Sequence, residues 1–303
     1  ASRSFFASYR ALKECDTVLF GGGGLFQDSH VIAPIIWTWQ FFWCLWLDKP
    51  VFMYATSIGP LTTRIGRALT QWVYKRAHVI TVRDSASEQM LKKLNIGSKN
   101  IHKTSDPFFL NRSHFRDIDK YNYIAISLRP IVNSSQIMNS KIVSFIRSIC
   151  EMYSLRPLFV QMQEGTHESD TFIIKNIQKF FPEAQIIKPT NLDDLNIILQ
   201  QSQLAIGMRL HFLLAALKAN TPTLAIAHTT KIESLFEDMG LKDNIIYPDE
   251  DIELWKRKLS ALESTSIQYG DITDKQADLA LINATTFDAF TAAQLEAKHE
   301  MKE

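Results

Sequence analysis

The chain has 303 residues, of which 46% are hydrophobic and 21% are charged, and its formal net charge is +1. This usage is typical of a globular protein and excludes a disordered or fibrous chain. The small net charge excludes a broad electrostatic field for nucleic acid, so any anionic ligand needs a local cluster of donors. The three cysteines have neither zinc-knuckle nor disulfide-framework spacing, which favours a reducing cytosol.

Short apolar runs alternate with longer amphipathic segments, and this alternation predicts an α/β fold with parallel sheets and crossover helices. The length favours two domains, which we place at residues 1–115 and 116–303, with a polar linker at 111–121. Open parallel sheets bind ligands at the carboxyl ends of their strands, so we expect the site in a cleft that the two domains face. Strands are predicted at 17–20, 51–55, 79–82 and 101–104 in the first domain, and at 123–127, 157–161, 185–188, 204–207, 223–227 and 245–247 in the second.

Helices are predicted between these strands from the spacing of apolar residues. The uncharged, tryptophan-rich segment 31–47 predicts a buried helix rather than a membrane span, because a span needs about 20 apolar residues. The C-terminal stretch 285–302 predicts a helix that packs back across the first domain. Because the chain opens at Ala1 with a helix, we expect an N-terminal domain that lacks its first strand. The remaining helices are predicted at 5–14, 65–77, 86–94, 140–152, 170–180, 193–200, 211–219 and 232–239.

Two loops of small residues follow the first two predicted strands. Gly21 to Gly24 leave the backbone open to a ligand, and their amides could form an anion nest or simply a tight turn. Asp28 could accept hydrogen bonds from a sugar hydroxyl or cap a helix. Ser57-Ile58-Gly59-Pro60 is a second such loop, and we expect both loops to share one rim of the sheet.

Acidic residues follow the next two strands of the first domain. Asp84 precedes the helix predicted from residue 86, which favours a role as its N-cap. Asp106 precedes Pro107, which favours a turn at the exit of the domain. Both are therefore expected to be structural.

Cationic residues follow strands of the second domain. Arg129 ends its first strand, and a guanidinium matches carboxylate or phosphate oxygens in a bidentate way, although a surface ion pair is equally compatible. Arg209 and His211 lie where a helix begins, and a helix N-terminus stabilises anions. There a histidine is either structural, beside a bound anion, or kept neutral for proton transfer.

Two further polar clusters occur in this domain. His228 and Lys231 flank Thr229 and Thr230 after the strand at 223–227, and this set suits an anionic ligand or a capped helix. Residues 163–170 form the other cluster, in which Asp170 is expected to cap the next helix. The spacing of His167 and Glu168 is not a metal motif, and we expect no bound metal.

The order and spacing of these motifs resemble the polysaccharide pyruvyl transferase family over most of the chain. The strongest signature is Gly207-Met208-Arg209-Leu210-His211, followed by a Thr-Pro strand and Lys231. The other matching segments are Leu19 to Asp28, Ser57 to Leu61, Val82 to Ser85, Ser105 to Pro107 and Ser127 to Arg129.

The resemblance implies a GT-B-like arrangement of two Rossmann-like domains and an enzyme that uses phosphoenolpyruvate to form a pyruvyl ketal on a sugar. Phosphoenolpyruvate is then a co-substrate, no cofactor is expected, and the acceptor is a sugar or a lipid-linked oligosaccharide of a cell-surface glycan. The resemblance places Arg129, Arg209 and His211 as catalytic residues, with His211 as the general acid. The residues expected to bind substrate are Gly22, Gly23, Gly24, Asp28, Ser57, Gly59, Leu210, His228 and Lys231.

The sequence departs from the family pattern at two places. Relatives usually begin with a strand and a Gly-Asn-rich loop, and many carry a tyrosine where this chain has His228. Both departures concern the acceptor side. The sequence therefore leaves two other readings open: a GT-B glycosyltransferase that uses a nucleotide sugar, and a non-catalytic relative that binds a sugar or an anion. We expect a cytoplasmic protein, with at most a peripheral contact at the inner face of the membrane through the aromatic helix if the acceptor is lipid-linked.

Overall fold

The structure is a computed structural model that describes residues 2–28, 32–97, 101–111, 118–130, 136–165, 170–264 and 268–300. The chain divides into two compact units. The N-terminal unit comprises residues 1–110 and 276–303, and the C-terminal unit comprises residues 111–275. Each of the predicted strands is present and ends within one residue of its predicted bounds.

The N-terminal unit is built on a four-stranded parallel sheet with the order β1-β2-β3-β4. Its buried residues include Phe26, Phe41 and Met53, which pack between the sheet and its helices. The strands are β1 (Val18–Gly21), β2 (Val51–Thr56), β3 (Val79–Val82) and β4 (Ile101–Lys103), and the helices are α1 (Ser2–Glu14), α2 (Ile32–Trp46), α3 (Arg64–Tyr74) and α4 (Ser85–Lys93).

The C-terminal unit is built on a six-stranded parallel sheet with the order β10-β9-β8-β5-β6-β7. Its core contains Phe145, Phe159 and the fully buried Trp255. The strands are β5 (Tyr123–Ser127), β6 (Arg156–Val160), β7 (Gln185–Ile187), β8 (Leu204–Gly207), β9 (Thr223–Ile226) and β10 (Ile245–Ile246). The helices are α5 (Gln136–Tyr153), α6 (Asp170–Gln178), α7 (Leu192–Gln200), α8 (Leu210–Lys218), α9 (Thr230–Asp238) and α10 (Ile252–Ser264), followed by the long helix α11 (Tyr269–Glu300).

Both α/β units confirm the predicted fold class. Continuous burial of strands such as β8 and β9 is typical of parallel sheets that are covered on both faces. Helix α10 is missing from the sequence prediction. The apolar spacing of Trp255, Leu259 and Leu262, all buried, is a helical signal that could have found it.

The terminal helix corrects the predicted domain boundaries. Helix α11 begins at Tyr269, well before the predicted residue 285, and its residues from Gln276 onward belong to the N-terminal unit. The buried Asn283 explains this assignment, because it accepts a hydrogen bond from Thr104 Oγ1 at 2.9 Å and donates one to Ser105 O at 3.0 Å. The predicted domain 116–303 therefore loses residues 276–303, and the first boundary moves from 115 to 110.

Helix α2 only partly fits the prediction of a buried helix. Pro34, Phe41 and Cys44 are buried, but Trp39 is 56% exposed and Trp46 is 69% exposed. Within the described ranges, no helix combines the length and the apolar character that crossing a membrane requires. The predicted helix thus forms, with one face packed on the sheet and the opposite face in solvent.

Replacing Asn283 with alanine tests the attachment of α11. We expect Asn283→Ala to lower the free energy of unfolding by about 1–3 kcal/mol, because it leaves the buried carbonyl of Ser105 without its donor, while the Thr104 hydroxyl can still donate to Val82 O at 3.1 Å. Chemical denaturation measures the change. Thr285→Ala is the matched control, because this exposed side chain bonds only to carbonyls of its own helix and should shift stability by less than about 0.5 kcal/mol. Equal effects of the two changes would contradict this account.

Candidate active site

The order of the six-stranded sheet reverses between β5 and β8. From β5 the chain builds β6 and β7 on one side, then returns to place β8, β9 and β10 on the other. Ser127, the last residue of β5, is aligned with Gly207, the last residue of β8, and Met208 N donates to Ser127 O at 2.8 Å. In open α/β sheets, ligands bind outside the carboxyl ends of the strands at such a reversal.

Small residues line this reversal point. A side chain at Gly207 would place its Cβ 2.5 Å from a ring carbon of Phe212, so α8 packs against β8 only because this position is glycine. The neighbouring Ser127 is fully buried, and its hydroxyl has no hydrogen-bond partner among the described residues. Buried polar atoms are normally paired, so this hydroxyl at the reversal point is an exception.

Arg209 is held by a buried carboxylate. Its Nε donates to Asp170 Oδ1 at 2.9 Å, and its Nη2 donates to the same oxygen. The other oxygen of Asp170 accepts from the backbone amides of Met162 and Gln163, at 2.9 and 3.0 Å. The Asp170 side chain is fully buried and that of Arg209 is 14% exposed, so the guanidinium is fixed in orientation beside the reversal point.

Two helix N-termini follow the neighbouring strands β8 and β9. Arg209 is the N-cap of α8 and Thr229 is the N-cap of α9, and neither side chain makes a capping hydrogen bond. A guanidinium has no acceptor with which to cap, and the first turn of α8 contains no acidic residue. Amides and dipoles at such ends favour an anion.

The structure brings the predicted residues of the C-terminal unit to three adjacent strand ends. Arg129 follows β5, while Arg209, Leu210 and His211 follow β8. His228 follows β9 and precedes Lys231 in the first turn of α9, and its Nδ1 lies 3.4 Å from Ile226 O. His211 is exposed and Lys231 is partly buried. Cations and histidines at one edge of the sheet suit an anionic ligand, and this role of the cluster stays a prediction.

The predicted residues of the N-terminal unit lie on two loops that bond to each other. Ser57 N donates to Gly23 O at 3.0 Å, and Gly59 N donates to Phe26 O at 2.8 Å. The prediction that both loops share one rim is therefore confirmed. Gly22 adopts a φ of 78°, which favours glycine, and no described residue accepts a hydrogen bond from the amides of Gly23 and Gly24. Those two amides fit the predicted ligand contact, which stays a prediction.

Asp28 has a structural task in this rim. One oxygen accepts from Thr62 N at 2.7 Å and from its hydroxyl, and the other accepts from Thr63 N at 2.6 Å and from its hydroxyl. Burial raises the pKa of Asp28, but these hydrogen bonds outweigh it and leave the pKa below its usual value. The carboxylate therefore fixes the loop ahead of α3, and the binding of a sugar hydroxyl by Asp28 stays a prediction.

The two acidic residues expected to be structural are so. Asp84 is the N-cap of α4, accepting from Ser87 N at 2.7 Å, and it also accepts from the hydroxyl of Ser57 at 2.9 Å. Asp106 accepts from Phe108 N at 3.0 Å and forms a buried ion pair with Arg83. The ion pair joins residues 23 positions apart, so no local sequence pattern predicts it.

Asp170 is the residue of the site that sequence reasoning missed. It was expected only to cap a helix, and no sequence spacing connects it with Arg209, 39 positions away. The neighbouring His167 and Glu168 lie outside the described residues. Within the described part of the chain, no group of three His, Cys, Asp or Glu side chains is placed to hold a metal ion.

Solved structures with a similar fold include UDP-GlcNAc 2-epimerases. A putative UDP-N-acetylglucosamine 2-epimerase from Listeria monocytogenes is 12% identical, with a TM-score of 0.64 over 96% of this chain and 79% of that one. The Methanocaldococcus jannaschii UDP-GlcNAc 2-epimerase in complex with UDP-GlcNAc and UDP is 14% identical, with a TM-score of 0.61 over 94% and 80%. At these identities the similarity shows the fold alone, a GT-B-type α/β fold.

The sequence comparison defines the family. Residues 1–230 match the polysaccharide pyruvyl transferase family, and the chain belongs to it. The amylovoran biosynthesis protein AmsJ of Erwinia amylovora is 23% identical over 258 residues, which cover 77% of this chain. The chain spans 61% of the length of that relative.

Removing the carboxylate of Asp170 tests the anchoring of Arg209. We expect Asp170→Ala to lower the free energy of unfolding by about 3–5 kcal/mol, because it leaves a largely buried guanidinium and two backbone amides uncompensated. The midpoint of urea denaturation measures this. Asp193→Ala in the first turn of α7 is the control, because this exposed carboxylate contributes at most about 1 kcal/mol through the helix dipole. A loss no larger than that of the control would show that the buried pair does not stabilise the unit.

Proposed function

We propose that this chain is a pyruvyl transferase that uses phosphoenolpyruvate to form a pyruvyl ketal on a sugar of a cell-surface polysaccharide or of its lipid-linked precursor. Family membership supports a polysaccharide-modifying transferase with a sugar acceptor. The choice of donor rests on the chemistry of the site in the C-terminal unit.

The proposal rests on the groups found at the edge of the six-stranded sheet where β5, β8 and β9 end. It combines the buried Ser127 hydroxyl, the Asp170-oriented guanidinium of Arg209 and the α8 N-terminus without a capping side chain. Phosphoenolpyruvate carries a carboxylate and a phosphate on the same carbon, so it needs donors directed at two anionic groups. A fixed guanidinium and a helix N-terminus supply two such sets of donors, to which Arg129 and Lys231 add charge.

The proposed reaction makes specific demands on these groups. A proton is added to the methylene carbon of phosphoenolpyruvate, and the oxygens of two sugar hydroxyls form bonds to its second carbon while the carbon–oxygen bond to phosphate breaks. Of the two hydroxyl protons, one balances the new methyl group and the other leaves with phosphate. His211 is the proposed general acid, and Arg129 and Arg209 stabilise the departing phosphate.

The acceptor side of the proposal concerns the N-terminal unit. In its paired loops, the amides of Gly23 and Gly24 have no acceptor among the described residues, and they lie next to the buried Ser57 and Gly59. Partly exposed backbone donors suit a sugar, whereas large apolar side chains would suit a base. We therefore assign the acceptor to this rim.

The donor assignment is tested by calorimetric titration with phosphoenolpyruvate. We expect saturable binding, and Arg209→Lys should weaken it by about 10- to 100-fold, since a lysine keeps the charge beside Asp170 but loses the bidentate fork. Arg257→Lys on the exposed surface of α10 makes the same chemical change and should leave the affinity unaltered. If the wild-type chain binds no phosphoenolpyruvate, the proposed donor is wrong.

The role of His211 is tested by separating binding from turnover. His211→Gln should keep the affinity for phosphoenolpyruvate within about threefold and slow acceptor-dependent phosphate release by about 10²- to 10⁴-fold, the usual contribution of a general acid. Phosphate release with a panel of exopolysaccharide oligosaccharides provides the measurement. A variant that loses affinity and rate together would make His211 a binding residue instead.

Nucleotide-sugar transfer is the second candidate. Its support is the fold, because a similar structure was solved with UDP-GlcNAc and UDP bound. The same titration with UDP and GDP separates the candidates, since a nucleotide-sugar enzyme binds a nucleoside diphosphate. Clear binding of a nucleotide without binding of phosphoenolpyruvate would favour the second candidate.

A further inference from the structure

Helix α2 carries an apolar face that the fold leaves in solvent. The helix contains no charged residue, and its face opposite to the buried Phe41 and Cys44 is exposed. Exposed apolar patches of this extent are uncommon on monomeric soluble proteins and mark interaction sites. The exposed residues are Ile32, Ile35, Ile36, Trp39, Phe42 and Trp46. We call this set the α2 face.

The α2 face is a continuous stripe. Its members recur at intervals of three and four residues, so they lie along one side of the helix over about 21 Å. The rings of Trp39 and Phe42 are stacked with their centroids 6.0 Å apart, and Phe42 lies 6.2 Å from Trp46. The aromatic rings are thus arranged in a row on the surface.

An apolar groove separates the α2 face from the neighbouring helix α3. It has a volume of about 430 Å³, and Trp39 and Phe42 form one wall while Leu69 and Trp72 form the other. This volume is within the range of ligand pockets, about 300–1,000 Å³. Another exposed apolar residue, Ile65, lies on α3 itself.

The α3 side of this surface carries positive charge only. Arg64, Lys75 and Arg76 are exposed in or just after α3, and the sequence has no acidic residue between positions 49 and 83; the exposed Asp48 lies just beyond the end of α2. The guanidinium carbon of Arg76 lies 4.4 Å from the ring centroid of Trp72, which places this cation beside the groove. Because the net charge of the chain is only +1, this basic strip is a local feature.

We propose that the α2 face and the basic strip of α3 together form a docking surface for an anionic lipid bilayer. Tryptophan and phenylalanine insert at the level of the headgroups, and basic side chains near the surface each gain about 1 kcal/mol from anionic lipids. The groove beside them accommodates part of an acyl chain. With 15 residues, about 22 Å long, α2 is too short to cross a hydrocarbon core of about 30 Å, so it lies in the plane of the interface.

The charges favour a bilayer over a second copy of the chain. In a two-fold dimer through the α2 face, the same patch of both copies meets itself. The α3 helix of a second copy therefore offers the basic strip no acidic partner, and like charges that approach one another oppose association. An anionic bilayer offers lipid chains to the apolar α2 face and negative headgroups to the basic strip. The inference concerns the N-terminal unit alone and does not depend on the donor proposed above.

Sedimentation with lipid vesicles tests the proposal on the full chain. We expect binding to vesicles of phosphatidylglycerol and phosphatidylcholine in equal parts, at least tenfold weaker binding to phosphatidylcholine alone, and weakening on going from about 0.1 M to about 1 M salt, which shortens the Debye length from about 10 Å to about 3 Å. Bromine-labelled lipids should quench the tryptophan fluorescence of the bound protein. Failure of the wild-type chain to bind the anionic vesicles would overturn the proposal.

Two pairs of variants separate the apolar and charged contributions. Trp39→Gln with Trp46→Gln should lower vesicle binding at least tenfold, whereas Phe172→Gln, which replaces a residue of α6 that is 73% exposed, should not. Arg64→Glu with Lys75→Glu should abolish the preference for anionic vesicles, whereas Lys242→Glu in the C-terminal unit should preserve it. Equal losses in variants and controls would overturn the proposal.

The mass in solution decides between the bilayer and a second copy. Light scattering coupled to gel filtration measures the mass of the protein in solution. We expect the same mass, whether of a monomer or of an oligomer, for the wild-type chain and for the Trp39→Gln, Trp46→Gln variant. A dimer that this variant dissociates would overturn the lipid assignment in favour of a homomeric interface. These measurements contain no phosphoenolpyruvate, so their failure is distinct from a failure of the proposed activity.

Discussion

The parallel pairing of β5 with β8 determines where the predicted site residues of the C-terminal unit lie. These strands are separated in sequence by two other strands and their helices, yet their last residues, Ser127 and Gly207, are aligned in the sheet. Helix α8 packs closely on β8, since a Cβ at position 207 would lie 2.5 Å from a ring carbon of Phe212. Arg129 and Arg209, two positions beyond the aligned pair, are brought to the same edge as a consequence.

A buried carboxylate then converts this placement into a fixed orientation. Asp170 accepts two hydrogen bonds from Arg209 and two from backbone amides, so each of its oxygens has partners despite complete burial. Burial of an ion pair is costly unless its geometry is good and the remaining lone pairs are occupied. An oriented guanidinium loses little freedom when an anion binds, which is the advantage of such a pair at a site for phosphate or carboxylate.

Buried, hydrogen-bonded carboxylates also occur in the N-terminal unit, where they fix loops. Asp28 and Asp84 are buried and hydrogen-bonded, and both hold loops in place at the carboxyl ends of the strands. With the loops fixed, the amides of Gly23 and Gly24 are held in position at the rim. Helix α2 packs one face on this unit and keeps the aromatic face outside, so the same unit combines a polar rim with an apolar surface.

The sequence by itself determined the α/β class, the strands to within one residue, the glycine loops and the motif residues from Arg209 to Lys231. It could do so because burial on both faces gives parallel strands short apolar runs, and because local turns require glycine. Tertiary structure decided what local pattern cannot encode. The bond between Arg209 and Asp170 joins residues far apart in sequence. The return of α11 to the N-terminal unit involves hydrogen bonds of Asn283 with Thr104 and Ser105, which are also distant in sequence. An uncharged segment such as 32–46 does not reveal which of its faces will pack against a sheet.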